Sequence, residues 1–249
     1  GLLDSEGISS AQFVAMDPDP KASSIMADFG VAMVGSLDEL LENCELVILA
    51  VKPQVAEQVM SRISPFVTPE KVILSLMAGV TTSKIESFLS KRSVVIRCMP
   101  QTLVRIRAGS CAICAGTNAS ISDLKTVEEL LGLVGEVVIV KESQMDAVTG
   151  LSGSGPAFVY SMIESLAAGG VREGLTKEVA LKLAAQTMLG SSRMMLRSVL
   201  SPSQLKEQVT SPGGTTIAGL EVVEKNNIDA ILRDAVTAAA HRSRELGNP

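Results

Sequence analysis

Leu46-Val47-Ile48-Leu49-Ala50-Val51-Lys52-Pro53-Gln54 is the stretch that decides the fold. Six consecutive apolar residues make a short strand buried on both faces, as in a parallel sheet covered by helices. The Lys-Pro that follows ends the strand and opens a helix, with Pro53 at the first helical position. The same grammar recurs on either side. Phe13-Val14-Ala15-Met16, Val72-Ile73-Leu74-Ser75-Leu76-Met77, Val94-Val95-Ile96-Arg97 and Val137-Val138-Ile139-Val140 all read as buried strands. Between them lie helix starts with sound capping, such as Ser36-Leu37-Asp38-Glu39 and Thr81-Thr82-Ser83-Lys84. Strand and helix in alternation predict an α/β, Rossmann-like doubly wound sheet.

After about Ser143 the strand signal stops. Phe158, Met162, Ile163 and Leu166, then Leu183, Met188, Met195 and Val199, recur at helical spacing. The chain therefore divides into a sheet domain over residues 1–142 and an all-helical domain over 143–249. The last helix, read over residues 228–240, is apolar on several faces, more than a surface helix needs, and asks to be covered by neighbours.

Composition narrows the function. Of 249 residues, 46% are apolar and 20% charged, the balance of a folded globular protein. With 22 Lys and Arg against 27 Asp and Glu, the net charge is −5, which argues against nucleic acid or an anionic membrane as partner. The absence of Trp and the single Tyr leave no stacking platform for bases. One histidine, His241, excludes His-based triads and multi-histidine metal sites, so no metal is expected. Cys44, Cys98, Cys111 and Cys114 are too few for a disulfide framework and fit a reducing, cytoplasmic compartment. Cys111-Ala112-Ile113-Cys114 has the C-x-x-C spacing, but on a strand these two thiols face opposite ways, so they are read as core thiols. No segment reaches the roughly 20 apolar residues of a membrane span. The sequence opens on Gly1 rather than Met, so no targeting signal is read from it.

Three constellations carry chemistry. Ala50-Val51-Lys52-Pro53 ends a central strand, where open α/β sheets hold ligands, and Lys52 suits a phosphate or ribose there. The plainer alternative is a strand-to-helix turn with an exposed lysine. Met99-Pro100-Gln101-Thr102 is a second turn of this kind. Gly150-Leu151-Ser152-Gly153-Ser154-Gly155-Pro156 opens a long helix, with Ser154 as N-cap; its glycines admit a ligand or another helix, or mark a tight domain junction. Thr210-Ser211-Pro212-Gly213-Gly214-Thr215-Thr216 leads into another helix. Its free amides and hydroxyls suit a small carboxylate, unless Thr215 or Thr216 serves only as the N-cap.

The run from Asp146-Ala147-Val148-Thr149 through Gly150-Leu151-Ser152-Gly153-Ser154-Gly155-Pro156-Ala157-Phe158, followed by Val209-Thr210-Ser211-Pro212-Gly213-Gly214-Thr215-Thr216-Ile217-Ala218-Gly219, closely resembles the pyrroline-5-carboxylate reductases. The likeness extends over nearly the whole chain, through Ala50-Val51-Lys52-Pro53-Gln54 and Ala78-Gly79-Val80 to Arg242-Ser243-Arg244-Glu245-Leu246. It implies an NADPH- or NADH-dependent enzyme that reduces pyrroline-5-carboxylate to proline, as a homodimer or decamer built through its carboxy-terminal helices. Carried over, the substrate carboxylate would lie on Ser211, Gly213, Gly214, Thr215 and Thr216, with the Thr216 hydroxyl on the ring nitrogen as the catalytic contact. The nicotinamide would lie near Ala50, Val51, Lys52 and Pro53 and the turn Met99, Pro100, Gln101 and Thr102.

The sequence departs from the family at several points. A first strand and a G-x-G-x-x-G turn that the family carries are not in this sequence. That strand lies mid-sheet in the doubly wound order, so its partners are expected to be unpaired and nicotinamide binding to be weak or lost. Gln101 and Leu103 stand where the family usually has Asn and Pro, and Arg105 and Arg107 are unexpected. At the end of the strand 13–16, Asp17 suits the ribose of NADH, whereas nearby Lys21 attracts a 2′-phosphate. Two other functions compete. A β-hydroxyacid-dehydrogenase-like oxidoreductase needs a lysine on the interdomain helix, where Ser152, Ser154 and Phe158 stand instead. A catalytically silent oligomerisation partner would keep only the helical surface.

Overall fold

The computed structural model describes residues 1–42 and 44–247. By density of internal contact the chain forms two compact units, one of Gly1–Gly153 with Ala238–Pro249 and one of Ser154–Thr237.

In the first unit, β1 (Val14–Ala15) and β2 (Ala32–Met33) flank α1 (Pro20–Asp28) and pair in parallel, Val14 opposite Ala32. After α2 (Leu37–Glu42) comes the main sheet, β3 (Leu46–Leu49), β4 (Val72–Ser75), β5 (Val94–Met99), β6 (Gly109–Ala115) and β7 (Gly135–Ile139), in that spatial order. Its helices are α3 (Ala56–Ile63), α4 (Thr82–Glu86), α5 (Ile121–Gly132) and the short α6 (Met145–Val148). All neighbours run parallel except β5 and β6, whose antiparallel pairing sets Arg97 opposite Cys114. The expected Rossmann-like α/β sheet is thus present, with one reversal that residue pattern does not encode.

Alternation along the strands separates two cores. Val47, Leu49, Ile73 and Val95 pack with Met60, Ile63 and Ile85 on one face. Leu74, Ile96, Cys98 and Ile113 pack with Val127 and Leu131 on the other. Each fully buried aliphatic side chain contributes about 1.5–3 kcal/mol, enough for the two cores to fix the sheet. Cys111 and Cys114 fall on opposite faces, as strand periodicity requires. Among the described residues the two sheets share no ladder. Val14 and Ala15 of β1 and Ile48 of β3 line an apolar cavity of about 400 Å³ with Leu2, Leu3 and Leu74.

The second unit is all helix: α7 (Gly155–Arg172), α8 (Lys177–Arg197), α9 (Pro202–Gln208), α10 (Thr215–Lys225) and the start of α11 (Ile228–Gly247). Thr176 caps α8 and Ser201 caps α9 with a reciprocal Ser201–Gln204 box. Helices α7 and α8 form a hairpin on small residues, Ala167 against Ala180 and Ala184, beside Ile163. Much apolar surface stays uncovered, with Leu183 at 55% and Leu196 at 85% exposure. The final turns of α11, from Ala238, belong to the first unit, where Gly247 lies against the left-handed Gly79 (φ 75°). Among the described residues no helix is long and apolar enough to cross a membrane.

Candidate functional site

The turn before α10 is built by its glycines. Gly213 takes a left-handed φ of 70°, which a side chain disfavours. The Gly214 amide donates to the Ser211 carbonyl at 2.9 Å. A Cβ on Gly214 would lie 2.5 Å from Ser211 Oγ, so the cradle exists only without one. Gly214 itself is the N-cap and Thr215 the first helical residue. The alternative in which Thr215 or Thr216 serves only as the N-cap is therefore not met, and both threonine hydroxyls are free of that duty. Among the described residues the hydroxyls of Ser211, Thr215 and Thr216 have no protein partner, whereas Thr210 Oγ1 donates to the Lys206 carbonyl at 2.6 Å. The first amides of an 11-residue helix, its positive dipole end and three hydroxyl-bearing residues therefore stand within one short stretch of chain, inside the second unit.

The residues expected to meet a nucleotide are in the first unit. Ala50, Val51 and Lys52 follow β3, and Lys52 is the N-cap of a short turn that begins at Pro53, as expected. Met99 ends β5; Pro100 and Gln101 follow, and Thr102 opens the next turn. Gln101 Oε1 is buried with no donor among the described residues. Asp17 lies exposed beyond β1, its Oδ1 accepting the Asp19 amide at 2.8 Å. All of these stand at carboxyl ends of parallel strands, the edge at which open α/β sheets bind ligands. The third constellation is different. Thr149 Oγ1 and Ser152 Oγ donate to the carbonyls of Met145 and Val148, and the boundary between units falls at Gly153. Ser154 is the N-cap of α7, without a side-chain capping bond. That stretch is engaged as a junction.

A family model for pyrroline-5-carboxylate reductase dimerisation matches residues 142–246, and one for NADP oxidoreductases, coenzyme F420-dependent, matches residues 2–79. The chain is 42% identical over 229 residues to a pyrroline-5-carboxylate reductase of Methanosarcina acetivorans, covering 92% of this chain and 85% of that one. This chain belongs to the pyrroline-5-carboxylate reductase family. A pyrroline carboxylate reductase of Plasmodium falciparum, solved with NADP bound, superposes with a TM-score of 0.88 at 32% identity, over 99% of this chain and 92% of that one. A pyrroline-5-carboxylate reductase from Coxiella burnetii gives 0.88 at 34%, over 95% and 88%.

For a pyrroline-5-carboxylate reductase, sequence reasoning missed one cluster. Arg97 on β5 is 2% exposed, and its Nη1 lies 2.5 Å from Glu142 Oε1. Glu142 Oε2 accepts the Thr82 amide at 3.0 Å and faces the Cys114 thiol at 3.5 Å. Burial pushes Glu142 up, but hydrogen bonds from Thr82 and Arg97 and the Arg97 charge outweigh it and hold the carboxyl below its ordinary 4.5. Burial, with the Glu142 charge beside it, pushes the Cys114 thiol up to about 12. The available signal was an arginine inside an otherwise apolar strand, a charge that must find a partner.

Proposed function

We propose that this chain reduces the ring imine of 1-pyrroline-5-carboxylate to L-proline, the last step of proline biosynthesis, with NADPH or NADH as the reductant. The observation that carries the reading is the opening of α10, where free helix amides stand beside the hydroxyls of Ser211, Thr215 and Thr216, which have no protein partner among the described residues, a donor set suited to a small carboxylate. Ser211, Gly213, Gly214, Thr215 and Thr216 hold the substrate's carboxylate there. The Thr216 hydroxyl donates to the ring nitrogen, on which charge builds as the carbon beside it is reduced. Hydride plus one proton turn the imine into the amine, and no imidazole is needed.

The residues of the sheet unit fit the nucleotide at its two ends. The buried Gln101 Oε1 has no donor among the described residues, and a nicotinamide carboxamide supplies one. Asp17 offers a carboxylate to a ribose diol. Ala50, Val51, Lys52, Pro53, Met99, Pro100 and Thr102 line the strand ends between them. The bound nucleotide supplies the hydride; the strand-end residues orient it, and orientation is a large part of the rate. The relatives of the same name and the NADP-bound relative support this cofactor class.

The helical part, residues 143–249, is the substrate and oligomerisation domain, and the sheet part, residues 1–142, the dinucleotide domain. The uncovered apolar surface of α7, α8 and α11 supports a homodimer, or a decamer of such dimers, and four free thiols support a cytoplasmic setting. The test is turnover of pyrroline-5-carboxylate with NADH and NADPH, followed by absorbance. Thr216→Val is expected to lower kcat by about a hundredfold with the fold intact. Full activity in that variant, or none in the parent chain, overturns the reading.

A further inference from the structure

The mechanism above makes no use of the pair formed by the buried Arg97 and the half-buried Glu142. One carboxylate there joins four elements: β5 through Arg97, β6 through Cys114, α4 through the Thr82 amide, and the turn Glu142–Gln144 that leads into α6. Arg97 shares its face of β5 with Met99, two residues on. Glu142 begins the segment that ends at Gly153, and there the two runs meet again: a Cβ on Gly153 would lie 2.7 Å from the Met99 methyl. The strand from Arg97 to Met99 and the segment from Glu142 to Gly153 are thus fastened at both ends, by an ion pair at one and by close packing at the other.

Stability does not account for such a pair. A guanidinium this deep forfeits its hydration, and an apolar residue of like volume commonly serves the fold as well or better. Here Nε and Nη2 of Arg97 are also buried without an acceptor among the described residues. What a guanidinium and a carboxylate provide and an aliphatic contact lacks is direction, since planar donors and acceptors fix both distance and angle.

We propose that Arg97 and Glu142 are positioning residues, holding Met99 and the turn 100–102 where the nicotinamide must lie for hydride transfer. The proposal rests on the reductase reading. Its test is the double variant R97M/E142L, which removes both charges together and leaves no lone ion buried. Expected are a Tm within a few degrees of the parent, kcat lower by about tenfold or more, and KM for pyrroline-5-carboxylate within about twofold. In the nucleotide-free protein, labelled with 13C-methyl methionine, the Met99 signal, assigned with M99L, should shift and broaden. R97K keeps the charge but not the plane, so it guards against misfolding of the double variant and should show a smaller kcat loss, about threefold. Parent kcat in both variants overturns the proposal. If the parent chain itself turns over no substrate, the reductase reading falls separately, and an unmoved Met99 signal then overturns the positioning role without any assay of activity.

Discussion

We propose that nucleotide choice is decided at Asp17. Its carboxylate is fastened beyond β1 by the Asp19 amide, with Lys21 as the nearby cation on the following helix. A 2′-phosphate placed beside that carboxylate is repelled, and a ribose diol is accepted. Asp17→Asn is expected to shift the ratio of NADPH to NADH affinity toward NADPH by about tenfold, read by fluorescence titration of both nucleotides. An unchanged ratio would mean that Asp17 faces neither ribose. Residues of this type were legible in sequence because their signal is local: Gly213-Gly214-Thr215-Thr216 spells a helix opening in four letters. The Arg97–Glu142 partnership was not, because its members stand 45 positions apart. A charged residue in an apolar strand announces the need for a partner without saying which acid will answer.

At the scale of elements, α11 was legible only in its apolar part, residues 228–240. It runs to Gly247, and the added turns read as polar. They stay helical through short-range pairs, His241 with Glu245 at 3.1 Å and Arg242 with Glu245 at 2.7 Å. They are also held by tertiary contact that no local pattern reports. Ser243 is 3% exposed, and its hydroxyl donates to Asp146 Oδ1 at 2.6 Å. Removing that hydroxyl deprives a carboxylate of a donor, so Ser243→Ala is expected to lower unfolding free energy by roughly 1–3 kcal/mol, measured by urea denaturation. Strand β2 was missed because two residues carry no periodicity, and the reversal of β6 because chain direction leaves no trace in which residues are apolar.

For the whole molecule, the division at 142/143 was read from where β-branched runs give way to helical spacing; by internal contact the chain groups as Gly1–Gly153 with Ala238–Pro249, and Ser154–Thr237. Acid stability belongs to this scale as well. Glu142 titrates below its ordinary 4.5 in the fold, so its contribution is complete above that value and is lost as pH falls through the lower, folded one. Unfolding free energy is therefore expected to fall with pH below about 4.5, and Glu142→Gln should flatten that limb in urea titrations between about pH 3 and 6. A limb of equal slope in the variant would place the acid sensitivity elsewhere.

The sealed sulfhydryls of the sheet give the protein a meter of its own opening. Cys98, Cys111 and Cys114 are closed off on two faces, and only Cys44 is partly open to solvent. An alkylating reagent therefore meets one ready target while the molecule is shut and four once it comes apart, so the tally of labelled sulfur counts how often the sheet lets go.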